Sequence, residues 1–278
     1  MSTTAIARAE APVDRAARKG ETIVQFKEVW KSYSGRDILA GVNLRIQRGE
    51  VLCVLGPSGT GKSVTLRHIN GLTRPDAGDV IVFGESIVSL SEEALAPVRR
   101  RLAMLFQGGA LFDSMNVEDN IAFPVREHTE KEPAEVAKIV AETLNMVGLP
   151  GIQRKMPSEL SGGMRKRVAL ARSISLEPEV ILYDEPTTGL DPVSSEKIAQ
   201  LIVDVNHRLQ TTSVVVTHDI VTARTVSTRV AFLYQGRFQF IGTFDEATSS
   251  GHPVLRDYFR AMGFPCGTGV FQAVPKGV

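Results

Sequence analysis

Apolar and polar residues follow two different rhythms along this chain, and each rhythm predicts its own kind of element. Near the start, residues 23–26 and 42–46 alternate like half-buried antiparallel strands. Later, short apolar runs recur between segments whose apolar residues repeat with helical spacing. These runs are predicted to be buried strands, and they cover residues 51–55, 102–106, 180–183 and 213–217. Because strands alternate with helices, we expect an α/β fold with a parallel core sheet and a smaller antiparallel subsheet.

Capping and turn residues predict the remaining elements. A capping box of Ser89 and Glu92 is expected to open a helix that ends near residue 101. The run at 102–106 should then be a strand that is buried on both faces. Pro133 suits the first turn of a helix, and Gly148 suits a helix end. The other predicted elements are a strand at 79–83, helices within 116–149 and at 192–208, a helix that follows residue 160, and a hairpin of 230–234 with 238–241.

The same pattern divides the chain into three parts. Residues 1–20 lack periodicity and are therefore expected to be a disordered lead. A transit peptide is the alternative, and the acidic residues of this segment disfavour it. Residues 21–250 are expected to form one domain with a helical subdomain at about 108–175. Residues 251–278 should add a helix and an extended tail, and the helix either packs on its own domain or docks on a partner subunit. Its apolar stripe comprises Val254, Leu255, Tyr258, Phe259 and Met262.

Charge and cysteine content narrow the classes of function. The chain has 32 basic and 31 acidic residues, whereas a nucleic-acid binder is usually strongly basic, so no nucleic-acid partner is expected. The short basic runs at 99–101 and 165–167 are expected to be solvated surface. Cys53 and Cys266 lie far apart and predict neither a disulfide framework nor a metal cluster, which fits a reducing cytosol.

The stretch 56–63 has a strong chemical signal. It has the spacing G-x-x-x-x-G-K-S between an apolar run and a helical-looking segment, where backbone N–H groups can surround a polyphosphate such as that of ATP. Lys62 can reach the β- and γ-phosphates, and the Ser63 hydroxyl can hold Mg²⁺. The alternative is a glycine-rich turn that has no ligand. The predicted nucleotide-binding residues here are Gly56, Pro57, Ser58, Gly59, Thr60, Gly61, Lys62, Ser63 and Val64.

Polar residues also follow predicted parallel strands, at the edge where α/β folds bind ligands. Asp184 can hold Mg²⁺, and Glu185 can accept a hydrogen bond from an attacking water. His218 can bond the γ-phosphate and orient that water, although a lone histidine at a strand end is usually structural. Gln107 can contact Mg²⁺ or the water. The other four histidines show no ligand spacing.

A second anion-binding element is expected at Ser161, Gly162 and Gly163, which open a helix. One chain then has two phosphate-binding elements but a single carboxylate pair. ATP held between the P-loop of one copy and the Ser-Gly-Gly of another accounts for both, so a head-to-tail homodimer with two ATP molecules is predicted. Tyr33, in a predicted polar turn at 31–35, either stacks on a nucleotide base or is a plain surface residue.

Together these residues resemble those of the ATP-binding-cassette (ABC) ATPases, over about residues 22–250. In that family the signature serine and glycines act in trans on the ATP of the other subunit, in agreement with the predicted dimer. The resemblance implies adenine stacking by Tyr33, a Q-loop at Gln107, a signature at 160–164, a Walker B pair of Asp184 and Glu185, a D-loop at 189–191 that includes Asp191, and a switch histidine at His218.

A narrower resemblance concerns the transported substrate. Residues 106–117 and 126–129, with Met164 where the signature usually has glutamine, resemble the ATPases of Mce/Mla-type lipid transporters. This implies a separate permease, an Mce-domain substrate-binding protein and, in some systems, a STAS-domain regulator. No apolar run approaches the roughly 18 residues that span a bilayer. The chain is therefore expected on the cytoplasmic face of the inner membrane, attached through the permease.

Two other functions share part of the pattern. An ATP-driven importer of small polar solutes or amino acids would have the same catalytic residues, and only 106–129 and Met164 argue against it. A soluble ABC protein of translation or DNA repair usually has two cassettes or a long coiled-coil insertion, and this chain has neither. For a transporter, a permease groove near Gln107 is expected. Its exposed apolar residues would be Leu111, Phe112 and Met115, for which the core is the alternative place.

Overall fold

A computed structural model describes residues 20–264 of the chain. Residues 1–19 and 265–278 lie outside this range, and with them nearly all of the predicted lead, most of the predicted tail and Cys266. The strands are β1 Thr22–Tyr33, β2 Arg36–Gln47, β3 Val51–Leu55, β4 Ala77–Val82, β5 Glu85–Ser86, β6 Leu102–Leu105, β7 Val180–Asp184, β8 Thr212–Val216, β9 Arg229–Tyr234 and β10 Arg237–Gly242. The helices are α1 Lys62–Ile69, α2 Glu92–Arg100, α3 Val117–His128, α4 Pro133–Met146, α5 Gly162–Ile174, α6 Pro192–Leu209, α7 Ile220–Val226, α8 Phe244–Ser249 and α9 Pro253–Ala261.

The larger sheet has six strands in the order β10-β9-β3-β8-β7-β6. β3 pairs in parallel with β8 and β9, and β7 pairs in parallel with β6 and β8. The carboxyl ends of β3, β7 and β8 therefore lie side by side at one edge. The predicted α/β fold with a mainly parallel core sheet is confirmed, and its topology brings the candidate residues that follow these strands together.

The strand at 102–106 departs from its prediction. β6 ends at Leu105, and its central residues Ala103 and Met104 are only half-buried. The prediction of burial on both faces is wrong because β6 lies at the edge of the sheet, with β7 as its only neighbour in the sheet order. Phe106 is outside the strand and exposed.

The smaller sheet is antiparallel, with the order β2-β1-β4-β5. Its first two strands are longer than the alternation predicts, because the pairing register of β1 shifts near Glu28, which has a positive φ of 47°. Such a bulge breaks the two-residue period while the ladder continues beyond it. Tyr33 is consequently the last residue of β1 and pairs with Arg36, and the turn that follows it is Ser34–Gly35.

Apolar side chains of the central strands alternate between two hydrophobic clusters. In β3, Cys53 joins a cluster that includes side chains of α3, α4, α5 and α6. Its neighbours Leu52 and Val54 join the other cluster, with side chains of β1, β2, β4 and α1. The core sheet therefore lies between a helical layer and the antiparallel sheet, and this arrangement buries its central strands β3, β7 and β8 on both faces.

Helix ends follow the predicted chemistry with one exception. Pro133 opens α4, and Gly148, with φ of 67°, follows its last residues. α2, however, begins after Ser91, whose side chain accepts a hydrogen bond from the backbone N–H of Ala94. The predicted capping box at Ser89 is wrong because that residue lies in a turn closed by the Leu90 N–H and the Ile87 carbonyl.

The C-terminal helix α9 packs on its own domain. Leu255 and Phe259 are fully buried in the cluster that contains the helical layer, and the ring of Tyr258 lies 5.0 Å from that of Phe232. Met262, at the end of the predicted stripe, is 42% exposed. Of the two alternatives for this helix, the described residues therefore show packing within the chain.

An ionic junction lies at the end of the core sheet that is opposite the carboxyl ends of β3, β7 and β8. The buried carboxylate of Glu179 accepts hydrogen bonds from Arg48 at 2.6 Å and from Arg101 at 2.5 Å. Arg101, expected to be solvated, also stacks its guanidinium 3.7 Å from the centre of the Phe83 ring. The junction ties the ends of β2, α2 and the start of β7 together.

Within residues 20–264, no helix is both long and apolar enough to cross a membrane.

Candidate nucleotide-binding site

The loop between β3 and α1 has a conformation that only glycine allows at two positions. Gly56 has φ of 150°, and a Cβ there would lie 2.2 Å from the carbonyl oxygen of Leu233. Gly61 has φ of 99°, and a Cβ there would lie 2.7 Å from Cγ2 of Ile38. The glycines therefore let the loop pack tightly on β9 and β2 while α1 begins at Lys62.

Lys62 lies folded over this loop. Its Nζ donates to the carbonyl oxygens of Gly56 at 2.9 Å and Pro57 at 3.1 Å. Burial lowers the pKa of Lys62, while the charges of Glu185 and Asp184 act in the opposite direction. A buried ammonium bonded only to neutral carbonyls is well placed to accept an anionic phosphate, since charge-assisted bonds are stronger.

Ser63 and Asp184 form the point of contact between the P-loop and β7. The Ser63 hydroxyl donates to Oδ1 of Asp184 at 2.6 Å, and the carboxylate is buried at the end of its strand. A hydroxyl oxygen and a carboxylate oxygen this close are the hard ligands that Mg²⁺ takes in nucleotide sites. The two side chains therefore fit the metal that the sequence implies.

Glu185 has an unusual backbone that turns its carboxylate toward His218. Its φ is 48°, and its N–H donates to the carbonyl of Val216 in β8 at 2.9 Å. Its Oε2 accepts a hydrogen bond from Nδ1 of His218 at 2.9 Å and one from the Thr188 hydroxyl at 3.1 Å. Because an ionised carboxylate only accepts, Nδ1 is the protonated nitrogen of this imidazole.

A cavity of about 400 Å³ is lined by Lys62, Ser63, Glu185 and His218 together. Tyr33 lines it from the end of β1, and the exposed Gln107 lines it from the loop after β6. Two of its lining residues, Ile38 and Thr188, are missing from the sequence-based set. No local pattern marks Ile38, whereas Thr188 has a weak signal, a hydroxyl three residues after Glu185. The remaining lining residues are Ser58, Gly59, Gly61 and Val64.

Eight predicted residues do not line this cavity. Four of them, Gly56, Pro57, Thr60 and Asp184, belong to the P-loop or to the end of β7 that contacts it, and the other four lie in the α5 and α6 regions. Ser161 caps α5 by accepting from the N–H of Met164 at 3.3 Å, and Asp191 caps α6 by accepting from the N–H of Ser194 at 2.9 Å. Gly162 and Gly163 lie against the first residues of α6 and the loop before it, where a Cβ on Gly163 would come 3.6 Å from Ser194. The start of α5 and the loop before α6 are thus neighbours, and neither lines the P-loop cavity of the same chain.

The basic run at 165–167 is not all solvated surface. Lys166 is 7% exposed, and its Nζ donates to the carbonyl oxygens of Gln107 and Glu185 at 2.5 and 3.3 Å. The prediction is wrong for this residue because the α5 face that holds it packs on the sheet edge. Arg165 is exposed, and its Nε donates to the Pro157 carbonyl at 3.0 Å.

The fold and the site define a P-loop nucleotide-binding protein in which a carboxylate and a histidine face the phosphate loop. Comparison with known proteins identifies its family. The sequence profile of the family described as ABC transporter matches residues 39–188. The chain therefore belongs to the ABC transporter ATP-binding proteins, and it is an ATPase.

Two curated relatives differ in the substrate that their names give. The intermembrane phospholipid transport system ATP-binding protein MlaF of Escherichia coli is 39% identical, over 86% of this chain and 89% of that protein. The probable ribonucleotide transport ATP-binding protein mkl of Mycobacterium leprae is 44% identical, over 85% of this chain and 68% of that protein. The chain spans about two thirds of mkl, so functions of the whole mycobacterial protein are not transferred to it directly.

A solved structure supports the same family. The ATP-binding cassette MJ0796, in a dimeric post-hydrolysis state with ADP and Pi, aligns with a TM-score of 0.74 and 34% identity. The alignment covers 80% of this chain and 98% of that cassette. The α/β architecture described above is therefore that of an ABC cassette.

Proposed function

We propose that this chain is the ATPase subunit of a transporter that moves phospholipids or related lipids between the inner membrane and the cell envelope. The observation that carries the ATPase part is the carboxylate of Glu185, bonded to His218 beside the P-loop cavity. The lipid part is supported by the 39% identity to MlaF, which extends over nearly all of that protein. The chain would work on the cytoplasmic face of the membrane, through a permease.

Nucleotide binding would use groups that already face the cavity. Lys62 exchanges the carbonyls of Gly56 and Pro57 for the β- and γ-phosphates, and the N–H groups of residues 58–63 surround the same oxygens. Tyr33 stacks on the base at the rim. Ser63, Asp184 and Gln107 would hold Mg²⁺, which when bound neutralises charge on the phosphates.

Hydrolysis would use Glu185 and His218 after they separate from each other. The Glu185 carboxylate then accepts a hydrogen bond from the attacking water and aligns it for in-line attack. The Nδ1–H of His218, released from the carboxylate, donates to the γ-phosphate and holds it in place. Thr188 keeps the carboxylate oriented through its hydroxyl.

The dimer supplies the residues that one cavity lacks. Ser161, Gly162, Gly163 and Asp191 of one subunit would contact the ATP bound to the P-loop of the other. Their absence from the lining of the P-loop cavity in their own chain supports this arrangement, as does the dimeric form of the related cassette MJ0796. Binding of ATP closes the dimer, and hydrolysis releases it.

A groove on the helical side would receive the permease. It has a volume of about 360 Å³, with Leu102, Met104 and Leu176 among its apolar residues and with Arg100 and Arg172 beside them. The residues expected in a permease groove near Gln107 are not among its lining residues. Of these, Phe112 is 42% exposed and lies 5.0 Å from the Phe123 ring. Leu111 and Met115 are half-buried. An amphipathic permease helix with an acidic residue would complement this surface.

An importer of small polar solutes is a second candidate because the mycobacterial relative is named for ribonucleotide transport. The two candidates differ in their remaining subunits. A lipid transporter of the Mce/Mla type would add an Mce-domain protein and, in some systems, a STAS-domain regulator. A solute importer would add a periplasmic solute-binding protein.

Retrieval of the tagged chain from detergent-solubilised native membranes distinguishes these candidates. Mass spectrometry should identify a permease together with an Mce-domain protein, and the purified complex should move a fluorescent phospholipid in proteoliposomes when ATP is present. A permease with a solute-binding protein would favour the importer. Ribosomes or DNA factors without a permease would contradict transport, while the ATPase chemistry would stand.

A further inference from the structure

Lys166 lies beneath the site and has no part in the chemistry above. It is in the second turn of α5, and both acceptors of its ammonium are main-chain carbonyls, those of Gln107 and Glu185. Burial lowers the pKa of Lys166, and the charges of Glu185 and Asp184 oppose that effect. The side chain therefore joins the signature helix to the loop after β6 and to the end of β7.

The backbone at Glu185 needs support from its surroundings. A glutamate with φ of 48° is in the left-handed region, which a non-glycine residue occupies only where tertiary contacts impose it. Its peptide groups are held on both sides, by the N–H bond to Val216 and by the carbonyl oxygen, which accepts from Lys166 and from the Thr188 N–H, each at 3.3 Å. The direction of the carboxylate depends on this backbone, so the Lys166 bond bears on where the attacking water would sit.

The loop of Gln107 is held by the same helix at a second point. A guanidinium nitrogen of Arg172 donates to the Gly109 carbonyl at 3.3 Å, and a Cβ on Gly109 would lie 3.4 Å from Cβ of Ala169. Arg172 also lines the groove proposed for the permease. α5 therefore contacts the Gln107 loop on the groove side through Arg172 and on the catalytic side through Lys166.

We propose that Lys166 is a positioning residue that places Gln107 and Glu185 relative to each other for hydrolysis. Its single ammonium fixes the main chain of both residues, so a displacement of the Gln107 loop is transmitted to the peptide that carries the catalytic carboxylate. The inference rests on the proposed roles of Gln107 and Glu185. It adds a group that does not line the cavity.

The first test replaces Lys166 in the full-length chain, purified with the membrane subunits that it retains. Lys166→Met preserves the length of the side chain and removes its donors, and kcat should fall about ten- to a hundredfold, because small misplacements of catalytic groups have effects of this size. The Kd for ATP should stay within about twofold, since Lys166 is not among the cavity residues. Lys166→Gln, which keeps N–H donors one bond shorter, should restore part of kcat.

Arg167→Met is the matched control. Arg167 is on the same helix and also donates to two main-chain carbonyls, of Val147 at 3.5 Å and Gly148 at 3.4 Å, away from the cavity. Its loss removes two main-chain bonds of the same helix, and kcat should stay at the parent value. Equal losses of kcat in both variants would show that Lys166 acts only on stability, and the proposal would be wrong.

A double-mutant cycle isolates the coupling. Gln107→Ala removes the side chain that Lys166 helps to place, so Lys166→Met should lower kcat by a smaller factor in that background than in the parent. If the two substitutions act independently, so that the fold losses of kcat simply multiply in the double variant, the proposal is overturned. If Lys166→Met does not fold, Lys166→Gln with Gln107→Ala supplies the same cycle. Parent-like turnover of Gln107→Ala and Glu185→Gln would instead refute the proposed site roles themselves.

Discussion

Nδ1 of His218 lies 2.9 Å from Oε2 of Glu185, so the two side chains proposed for hydrolysis are bonded to each other across the ends of β7 and β8. The carboxylate that would align water is thus occupied by the imidazole that would hold the γ-phosphate. In the proposed mechanism this bond must open, and a phosphate near His218 would offer the imidazole N–H a second charged acceptor. The pair therefore links nucleotide binding to release of the carboxylate.

Replacement of this carboxylate should separate binding from turnover. Glu185→Gln keeps the size of the side chain and a hydrogen bond to His218 but removes the charge that polarises water. We expect steady-state ATP hydrolysis to fall about 10²- to 10⁴-fold, while ATP still binds and holds the protein as a closed dimer, seen by light scattering. Glu142→Gln, at an exposed pair with Lys138, is the control. Parent-like turnover in Glu185→Gln would contradict the assignment of the base.

Removal of the P-loop ammonium should abolish nucleotide binding. Lys62→Ala deletes a buried charge that donates to two loop carbonyls and would otherwise bond phosphate oxygens, at about 1.5–3 kcal/mol for each hydrogen bond to a charged group. Calorimetric titration should show the Kd for ATP rising by more than about a hundredfold. Lys138→Ala, on the exposed face of α4, should bind like the parent. An unchanged Kd in Lys62→Ala would undercut the P-loop interpretation.

Two glycines of the loop should respond differently to alanine. At Gly56 a Cβ would collide with the Leu233 carbonyl at 2.2 Å, whereas at Gly59, with φ of 76°, it would have no neighbour within 4 Å. Gly59→Ala should therefore cost only the backbone strain, about 1 kcal/mol. Gly56→Ala must also displace the loop from β9, and its midpoint in urea should be clearly lower. Equal midpoints would show that the loop does not pack on β9 as described.

The ionic junction at Glu179 should make stability depend on acid pH. Burial by itself would raise the pKa of Glu179, but the hydrogen bonds and charges of Arg101 and Arg48 outweigh it and hold the pKa below its ordinary value. The unfolded chain then binds more protons, so this contribution is complete above the unfolded pKa of about 4.3 and is lost as pH falls through the lower folded value.

Glu179→Gln tests this junction. Breaking a buried pair leaves Arg48 with the more distant carboxylate of Glu21, 3.7 Å away, as its remaining ionic partner. We expect a loss of up to about 3–5 kcal/mol in the free energy of unfolding at pH 7. Thermal unfolding followed from pH 7 to pH 3 should show a shallower dependence of Tm on pH in the variant. Parallel curves would mean that Glu179 does not titrate with the pKa direction described.

Much of the site follows from residues that are close together in the sequence. The P-loop lies between its strand and its helix within 51–69, so spacing alone predicts the anion-binding turn. Asp184, Glu185 and His218 were predicted to meet because each follows a buried strand, and parallel pairing of β7 and β8 brings them together. Such inferences succeed because the local pattern identifies each strand, and parallel pairing places the carboxyl ends of neighbouring strands side by side.

Other features depend on partners that are remote in the chain. Lys166 looks like one cation of a surface run, but its acceptors lie 59 and 19 residues away. Ile38 enters the cavity from the other sheet because it packs against Gly61, and β6 is half-exposed because it has the last place in the sheet order. The sequence by itself determined the fold class, the P-loop and the residues at the strand ends, since these depend on local spacing and burial. Only the tertiary structure decided which cation is buried, which strand lies at the edge and which side chains close the cavity, because burial and hydrogen bonding there are set by chain segments that meet only on folding.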